Sequence, residues 1–175
     1  MERIARDKRY FTYLSDSDAE LKVVLGDARR SLDHESDGSF GLIILDAFSS
    51  DAIPIHLITR EAVRGYLDKL ADDGIMAFHI SNRHLRLHSV LASVADNLGL
   101  ECRQQEFRVT DTDLKEFYYP SDWVLMARRT TDFGPLASDT RWRTPSIEPA
   151  MRVWTDEYSN ILSVLHFGET KQQRQ

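Results

Sequence analysis

The sequence feature that most constrains the fold is a short apolar run, residues 42–45, which ends at Asp46. The run contains two β-branched isoleucines and lies between Gly41 and a polar loop rich in serine. A continuous apolar run of this length is typical of a strand buried on both faces, as in a parallel sheet. We therefore expect residues 42–45 near the middle of a parallel sheet, with Asp46 at its carboxyl edge.

Strand-like and helix-like segments alternate along the rest of the chain. The pattern predicts strands over residues 21–25, 75–80, 100–107 and 123–127, and helices over residues 60–70, 88–98 and 154–165. Such alternation is typical of a doubly wound, mainly parallel α/β sheet. Thr59 is the expected N-cap of the first helix, and Gly99 is expected to end the second. No helical pattern separates the last two strands, so we expect them to form an antiparallel pair at one edge.

Composition favours one globular domain in a reducing setting. The chain has 175 residues, 42% hydrophobic and 29% charged, which is ordinary for a globular protein. We expect one domain over residues 1–167 and a disordered polar tail over residues 168–175. No apolar run approaches the roughly 20 residues that a membrane span needs. Cys102 is the single cysteine, which excludes an intrachain disulfide and predicts a cytoplasmic location.

The net charge and the spacing of the histidines indicate which classes of ligand the chain could bind. The net charge of −6 argues against nucleic acid and favours a cationic ligand. His84 and His88 lie four residues apart, but no Glu or Cys accompanies them at ligand spacing. We therefore expect no metal site.

Carboxylates follow two of the predicted strands. Asp46 ends the run 42–45, and Asp51 follows five residues later. Because ligands of open α/β sheets bind at the carboxyl ends of strands, these two residues are candidates for binding an amine; alternatively, Asp51 stabilises a loop turn. Asp27 follows the predicted strand 21–25. Its carboxylate suits either an adenine amine or the N-cap of the next helix.

Three segments in this order resemble the spermidine synthase (polyamine aminopropyltransferase) family, and in particular its bacterial spermidine synthase-like members. They are Gly26-Asp27-Ala28-Arg29, the stretch from Asp46 to Asp51, and Tyr119-Pro120-Ser121. The resemblance implies a methyltransferase-like Rossmann fold. It also implies transfer of an aminopropyl group from decarboxylated S-adenosylmethionine, as co-substrate, to a diamine such as putrescine, without a metal.

The resemblance also implies roles for individual residues. Asp46 would be the catalytic aspartate beside the attacking amine. Asp51 would hold the polyamine, and Tyr119 would line the polyamine channel. Asp27, with Ala28 beside it, would bind the adenine side of the co-substrate.

The sequence departs from the family pattern in several places. The two loop aspartates are five residues apart rather than three, and His79-Ile80-Ser81-Asn82-Arg83 replaces a glutamine-bearing segment. The family's first strand and its glycine-rich turn find no counterpart in the chain. We therefore expect an N-terminally incomplete sheet, weak or no binding of methylthioadenosine, and homo-oligomers formed through exposed strand edges. An S-adenosylmethionine-dependent methyltransferase and a non-catalytic binding domain are the alternative functions.

Overall fold

The computed structural model describes residues 2–47, 53–82, 85–149 and 151–165. The helices and strands in chain order are α1 (Glu2–Ala5), α2 (Ala28–Leu32), β1 (Phe40–Leu45), α3 (Arg60–Lys69), β2 (Leu70–His79), α4 (Leu87–Leu98), β3 (Glu101–Phe107), α5 (Asp111–Lys115) and β4 (Ser121–Ala127). Short 3-10 segments cover Ile55–Leu57, Thr130–Ser138 and Ile161–Val164. Within these ranges, no helix combines the length and apolar character needed to cross a bilayer.

The described strands form one mixed sheet in the order β1-β2-β4-β3. The crossover through α3 makes β1 and β2 parallel, whereas β4 pairs antiparallel with both β2 and β3. This arrangement confirms the α/β Rossmann-like class and the antiparallel pair at one edge. Parallel pairing is confined to β1 and β2 because β4 returns between β2 and β3.

The expected central place of residues 42–45 is wrong within the described sheet, because β1 is an edge strand. Ile43 and Leu45 are buried, but Leu42 and Ile44 are 52% and 57% exposed. The apolar run is therefore covered on one face only, and its length alone does not report burial on both faces.

Two further sequence predictions are wrong. Residues 21–25 form no strand, and Leu25 is 74% exposed. Residues 154–165 form no continuous helix; instead Thr155 and Tyr158 close a tight turn through paired backbone hydrogen bonds. The apolar residues of this segment contact the core singly, at Trp154 and Val164, rather than along one helical face.

The predictions for α3 and α4 are confirmed. Thr59 caps α3, with its Oγ1 accepting a hydrogen bond from the Ala62 amide at 3.3 Å. Gly99 ends α4 in a left-handed conformation with φ 68°, which a residue without Cβ adopts readily. Both helices contribute buried side chains to one main core, which also includes Trp154.

A second, smaller core covers the opposite face of the sheet. Phe133, in the 3-10 segment Thr130–Ser138, packs there against Ala77, Leu125 and Ala127. The chain then runs along β3, where the backbones of Gln104 and Arg143 exchange hydrogen bonds of 2.7 and 2.9 Å. This contact covers part of the outer edge of β3.

Candidate functional site

Asp46 and His79 meet where two parallel strands end. Register pairs Leu45 of β1 with Phe78 of β2, so the next residues along β1 and β2 are neighbours at the carboxyl edge of the sheet. Asp46 Oδ1 lies 2.7 Å from His79 Nδ1. The Asp46 side chain is 58% exposed and that of His79 only 22%, which makes the imidazole the fixed partner. This edge is where open α/β sheets bind ligands.

The imidazole is held on its other side by the loop that follows β2. Its Nε2 lies 2.7 Å from Ser81 Oγ. Ser81 Oγ in turn accepts a hydrogen bond from the Asp122 backbone N–H at 2.8 Å. The ring also stacks on Trp123, with centroids 4.6 Å apart and planes 14° apart. A continuous path of contacts thus runs from the β4 backbone to the Asp46 carboxylate. We call the four groups on this path, Asp46, His79, Ser81 and the Asp122 amide, the relay.

The hydrogen-bonding groups at the two ends of the relay assign the protons between them. The Asp122 amide only donates, and an ionised carboxylate only accepts. His79 Nδ1 therefore carries the proton that is donated to Asp46. When the imidazole is neutral, Nε2 accepts a hydrogen bond from the Ser81 hydroxyl. When the imidazole is protonated, Nε2 donates a hydrogen bond to Ser81 Oγ. Asp46 Oδ1 is thus occupied in both states, and Oδ2 accepts no hydrogen bond from the described residues.

Asp27 occupies the N-cap of α2. It accepts a hydrogen bond from the Arg30 amide at 3.0 Å, and this bond is the main reason that the pKa of Asp27 is lowered. His56 Nε2 lies 3.5 Å from its second oxygen. The Asp27 side chain remains 43% exposed, so its capping role leaves it accessible to a ligand. Ala28 is the first residue of α2 and lines an open cavity of about 400 Å³ beside β1.

The other residues named from the sequence are not drawn into this cluster. Tyr119 lies two residues before β4 and is 68% exposed. Within the described ranges, no hydrogen bond joins it to Asp46. Asp51 lies outside the described residues. The sequence pattern did not identify the relay residues as partners of Asp46, although the matched ends of β1 and β2 are the signal that places His79 beside it.

A polar cavity of about 370 Å³ adjoins the relay. Its lining includes Asp122 and Trp123 from β4, Asn82 from the loop after β2, and Arg108. Arg108 bonds to Asp122 through its guanidinium, so one carboxylate of the lining is already neutralised. Among the described residues, no cluster of three or more metal-ligating side chains is present.

No family model matches the sequence, and no curated protein is similar to it. Among solved structures, the fold is similar to a probable spermidine synthase from Corynebacterium glutamicum ATCC 13032, with a TM-score of 0.50 and 17% identity over 72% of this chain and 43% of that chain. MNMC2 from Aquifex aeolicus gives a TM-score of 0.44 and 14% identity over 71% of this chain and 38% of the other. This chain therefore spans less than half the length of either structure.

The class defined by the fold is that of Rossmann-like α/β domains. The likeness to the probable spermidine synthase, at 17% identity, is a likeness of fold. The relay at the carboxyl edge adds a candidate site to that fold, in which His79 holds Asp46 Oδ1 and Oδ2 accepts no hydrogen bond from the described residues.

Proposed function

We propose that this chain supports aminopropyl transfer from decarboxylated S-adenosylmethionine to a diamine such as putrescine. The observation that carries the proposal is the Asp46 carboxylate, which stands at the carboxyl edge of the sheet with one oxygen held by His79. The fold likeness to a probable spermidine synthase agrees with it. A buried lone thiol, Cys102, is consistent with a cytoplasmic setting as part of the same proposal.

The reaction needs a neutral amine beside the sulfonium co-substrate. The nitrogen attacks the carbon attached to sulfur, the new N–C bond forms, and the C–S electron pair leaves with sulfur as methylthioadenosine. The proton lost from nitrogen goes to Asp46 or to water. An alkylammonium has a pKa of about 10.4, so the nitrogen must give up a proton before it has a lone pair with which to attack. No metal is required, because the sulfonium is already a good leaving group.

Asp46 contributes mainly by orienting the amine. Its Oδ1 already accepts a hydrogen bond from an imidazole N–H, which fixes the orientation of the carboxylate. Its Oδ2 can still accept an N–H from the amine and direct the nitrogen lone pair towards the reacting carbon. Positioning of this kind and electrostatic stabilisation are large contributions to catalysis.

The remaining assignments extend the proposal over the rest of the ligand. Asp27 and Ala28 would contact the adenine side of the co-substrate. Asp51 would hold the distal ammonium of the polyamine, and Tyr119 would line its channel. The net charge of −6 favours the approach of a cationic substrate.

Replacing Asp46 tests the proposal. Asp46→Asn preserves size but removes the negative charge, and we expect turnover with putrescine and decarboxylated S-adenosylmethionine to fall by about 10²-fold or more. The thermal unfolding midpoint should stay unchanged, because the side chain is more exposed than buried. Asp96→Asn, an exposed change at the end of α4, is the matched control and should retain full turnover. Undiminished turnover in Asp46→Asn would overturn the proposal.

Calorimetry with three ligands separates the alternatives. Decarboxylated S-adenosylmethionine, S-adenosylmethionine and methylthioadenosine are titrated in turn, and each mixture is assayed for products. Methyl transfer from S-adenosylmethionine would replace the proposal with a methyltransferase. Failure to bind any of the three would favour a non-catalytic domain, a function in keeping with the exposed outer face of β1.

A further inference from the structure

We propose that His79 is a positioning residue that sets the orientation of the Asp46 carboxylate, an inference that rests on the proposed function for its effect on catalysis. The imidazole holds Oδ1 and thereby leaves Oδ2 directed at the amine. The contact joins residues 33 positions apart, so local backbone geometry does not create it. The orientation of Asp46 therefore depends specifically on the nitrogen at the δ position of residue 79.

The imidazole is fixed because two different elements hold it. His79 is paired with Trp123 across the antiparallel β2–β4 ladder, and the two rings stack at 4.6 Å. The Asp122 amide anchors Ser81 Oγ at 2.8 Å, and Ser81 anchors Nε2 at 2.7 Å. Stacking defines the plane of the ring, and the Ser81 contact defines its rotation within that plane. A ring fixed in both respects presents Nδ1 in one direction.

The hold on Asp46 persists when His79 changes protonation state. Nδ1 donates to Asp46 whether the imidazole is neutral or protonated, and only the direction of the Nε2–Ser81 hydrogen bond reverses. Ser81 can accommodate this reversal because a hydroxyl both donates and accepts. The relay can therefore hold the carboxylate with either form of the imidazole.

The same residue types, Ser, His and Asp, also form nucleophilic serine sites. Here Ser81 Oγ is tied to the β4 backbone by the Asp122 amide. That bond uses one of the hydroxyl's lone pairs and holds the oxygen against the sheet. We therefore assign Ser81 to anchoring the imidazole and not to attack on a substrate.

Two substitutions by amide side chains test the roles of the two imidazole nitrogens separately. The side-chain amide of His79→Asn occupies the place of Nδ1 and can still donate to Asp46. The amide of His79→Gln reaches the place of Nε2 and can bond Ser81, but it leaves Asp46 unheld. Both variants lose the stacked ring. They differ by one methylene and in the contact that each keeps, which is Asp46 for His79→Asn and Ser81 for His79→Gln.

The first measurement is spectroscopic and needs no catalysis. Long-range ¹H–¹⁵N correlation on the ¹⁵N-labelled full chain reports which imidazole nitrogen carries the proton. For neutral His79 we expect a protonated Nδ1 and an unprotonated Nε2, with the Nε2–H form populated after Asp46→Ala. A wild-type chain in which Nε2–H predominates would overturn the inference. So would covalent labelling of Ser81 by a fluorophosphonate.

The second measurement is kinetic, with putrescine and decarboxylated S-adenosylmethionine as the probes. His79→Gln should lower kcat by on the order of 10²-fold, the scale of an Ångström-sized misplacement, with a much smaller change in the KM for putrescine. His79→Asn should recover most of that loss. Equal kcat in the two variants would show that the ring acts only through packing, and would overturn the inference. A wild-type chain that shows the expected tautomer but transfers no aminopropyl group would reject the proposed function and leave the relay geometry standing.

Discussion

Asp156 accepts hydrogen bonds from side chains that are distant in sequence. Arg29 donates to both of its oxygens at 2.8 and 2.7 Å, and Thr59 Oγ1 donates at 2.7 Å. The Arg29 guanidinium first, and Thr59 in addition, lower the pKa of Asp156 to about 2. A carboxyl group whose pKa is lower in the folded than in the unfolded protein stabilises the fold above its unfolded pKa of about 3.9. That stabilisation is lost as the pH falls from about 4 through 2.

Asp156→Asn should therefore destabilise the protein at neutral pH and much less in acid. We expect a loss of about 1 kcal/mol at pH 7, a modest value because the side chain is 42% exposed and water screens the ion pair. Urea unfolding at pH 7 and at pH 2.5 provides the comparison. Asp139→Asn removes a pair with Arg141, which lies only two positions away and is 72% exposed; it is the control and should have a smaller effect. An equal loss at both pH values would contradict the assignment of the effect to ionised Asp156.

At the scale of single residues, the sequence predicted that Asp46 lies at a strand end, but it did not predict the contact with His79. A strand-end aspartate is visible from local pattern, because the apolar run 42–45 stops there. The contact with His79 depends on the register of β1 against β2, which no local pattern specifies. Asp27 illustrates the opposite case, since its capping of α2 involves only residues within three positions and was among the alternatives drawn from the sequence.

At the scale of elements, Gly74 of β2 lies close against the start of β1. A Cβ at Gly74 would lie 2.6 Å from Leu70 Cγ and 3.0 Å from the Phe40 carbonyl oxygen. The ladder shifts register in the same place, between the pairs of Phe40 and of Leu42. The absence of a side chain at Gly74 thus permits the irregular start of β2.

Gly74→Ala should destabilise the protein by about 1–3 kcal/mol, the usual cost of forcing extra atoms into a packed site. The matched control is Gly41→Ala in β1, where a Cβ would meet nothing within 4 Å. That change should be neutral or slightly stabilising, because alanine loses less backbone entropy than glycine on folding. Chemical denaturation of both variants measures the difference. Similar stabilities for the two alanine variants would contradict the account of the close approach.

The elements that the sequence predicted well are those whose ends are defined locally. Thr59 caps α3 and Gly99 terminates α4, and both signals lie within a few residues of the helix they bound. The predictions for residues 21–25 and 154–165 failed because apolar patterns there were interpreted as regular elements. A strand needs a partner in the sheet, and a helix needs one continuous buried face. Neither requirement can be deduced from the segment itself.

At the scale of the whole molecule, β1 is an edge strand with exposed apolar side chains. The side chains of Leu42 and Ile44 are exposed to solvent. They line a cavity of about 400 Å³ together with Val24 and Leu32. No described segment pairs with this edge of the sheet. Exposed strand edges with apolar side chains invite pairing with another chain.

We therefore expect the protein to self-associate through β1. Ile44→Lys should shift the population towards monomers, because it places a charge on the edge strand where charges block pairing. Light scattering over a range of protein concentrations gives the mass. Leu114→Lys, at an exposed leucine of α5, is the control and should leave the mass unchanged. A wild-type chain that stays monomeric at high concentration would contradict the prediction.

The burial of Trp154 has a consequence for how the protein is made. Trp154 is 1% exposed within the main core, and its carbonyl accepts a hydrogen bond from the Arg60 amide at the start of α3. Asp156 reaches back 127 positions to Arg29. On the ribosome, residues 53–69 emerge long before the segment that covers them. The nascent chain must therefore hold an open apolar face, accessible to chaperones, until translation has passed Asp156.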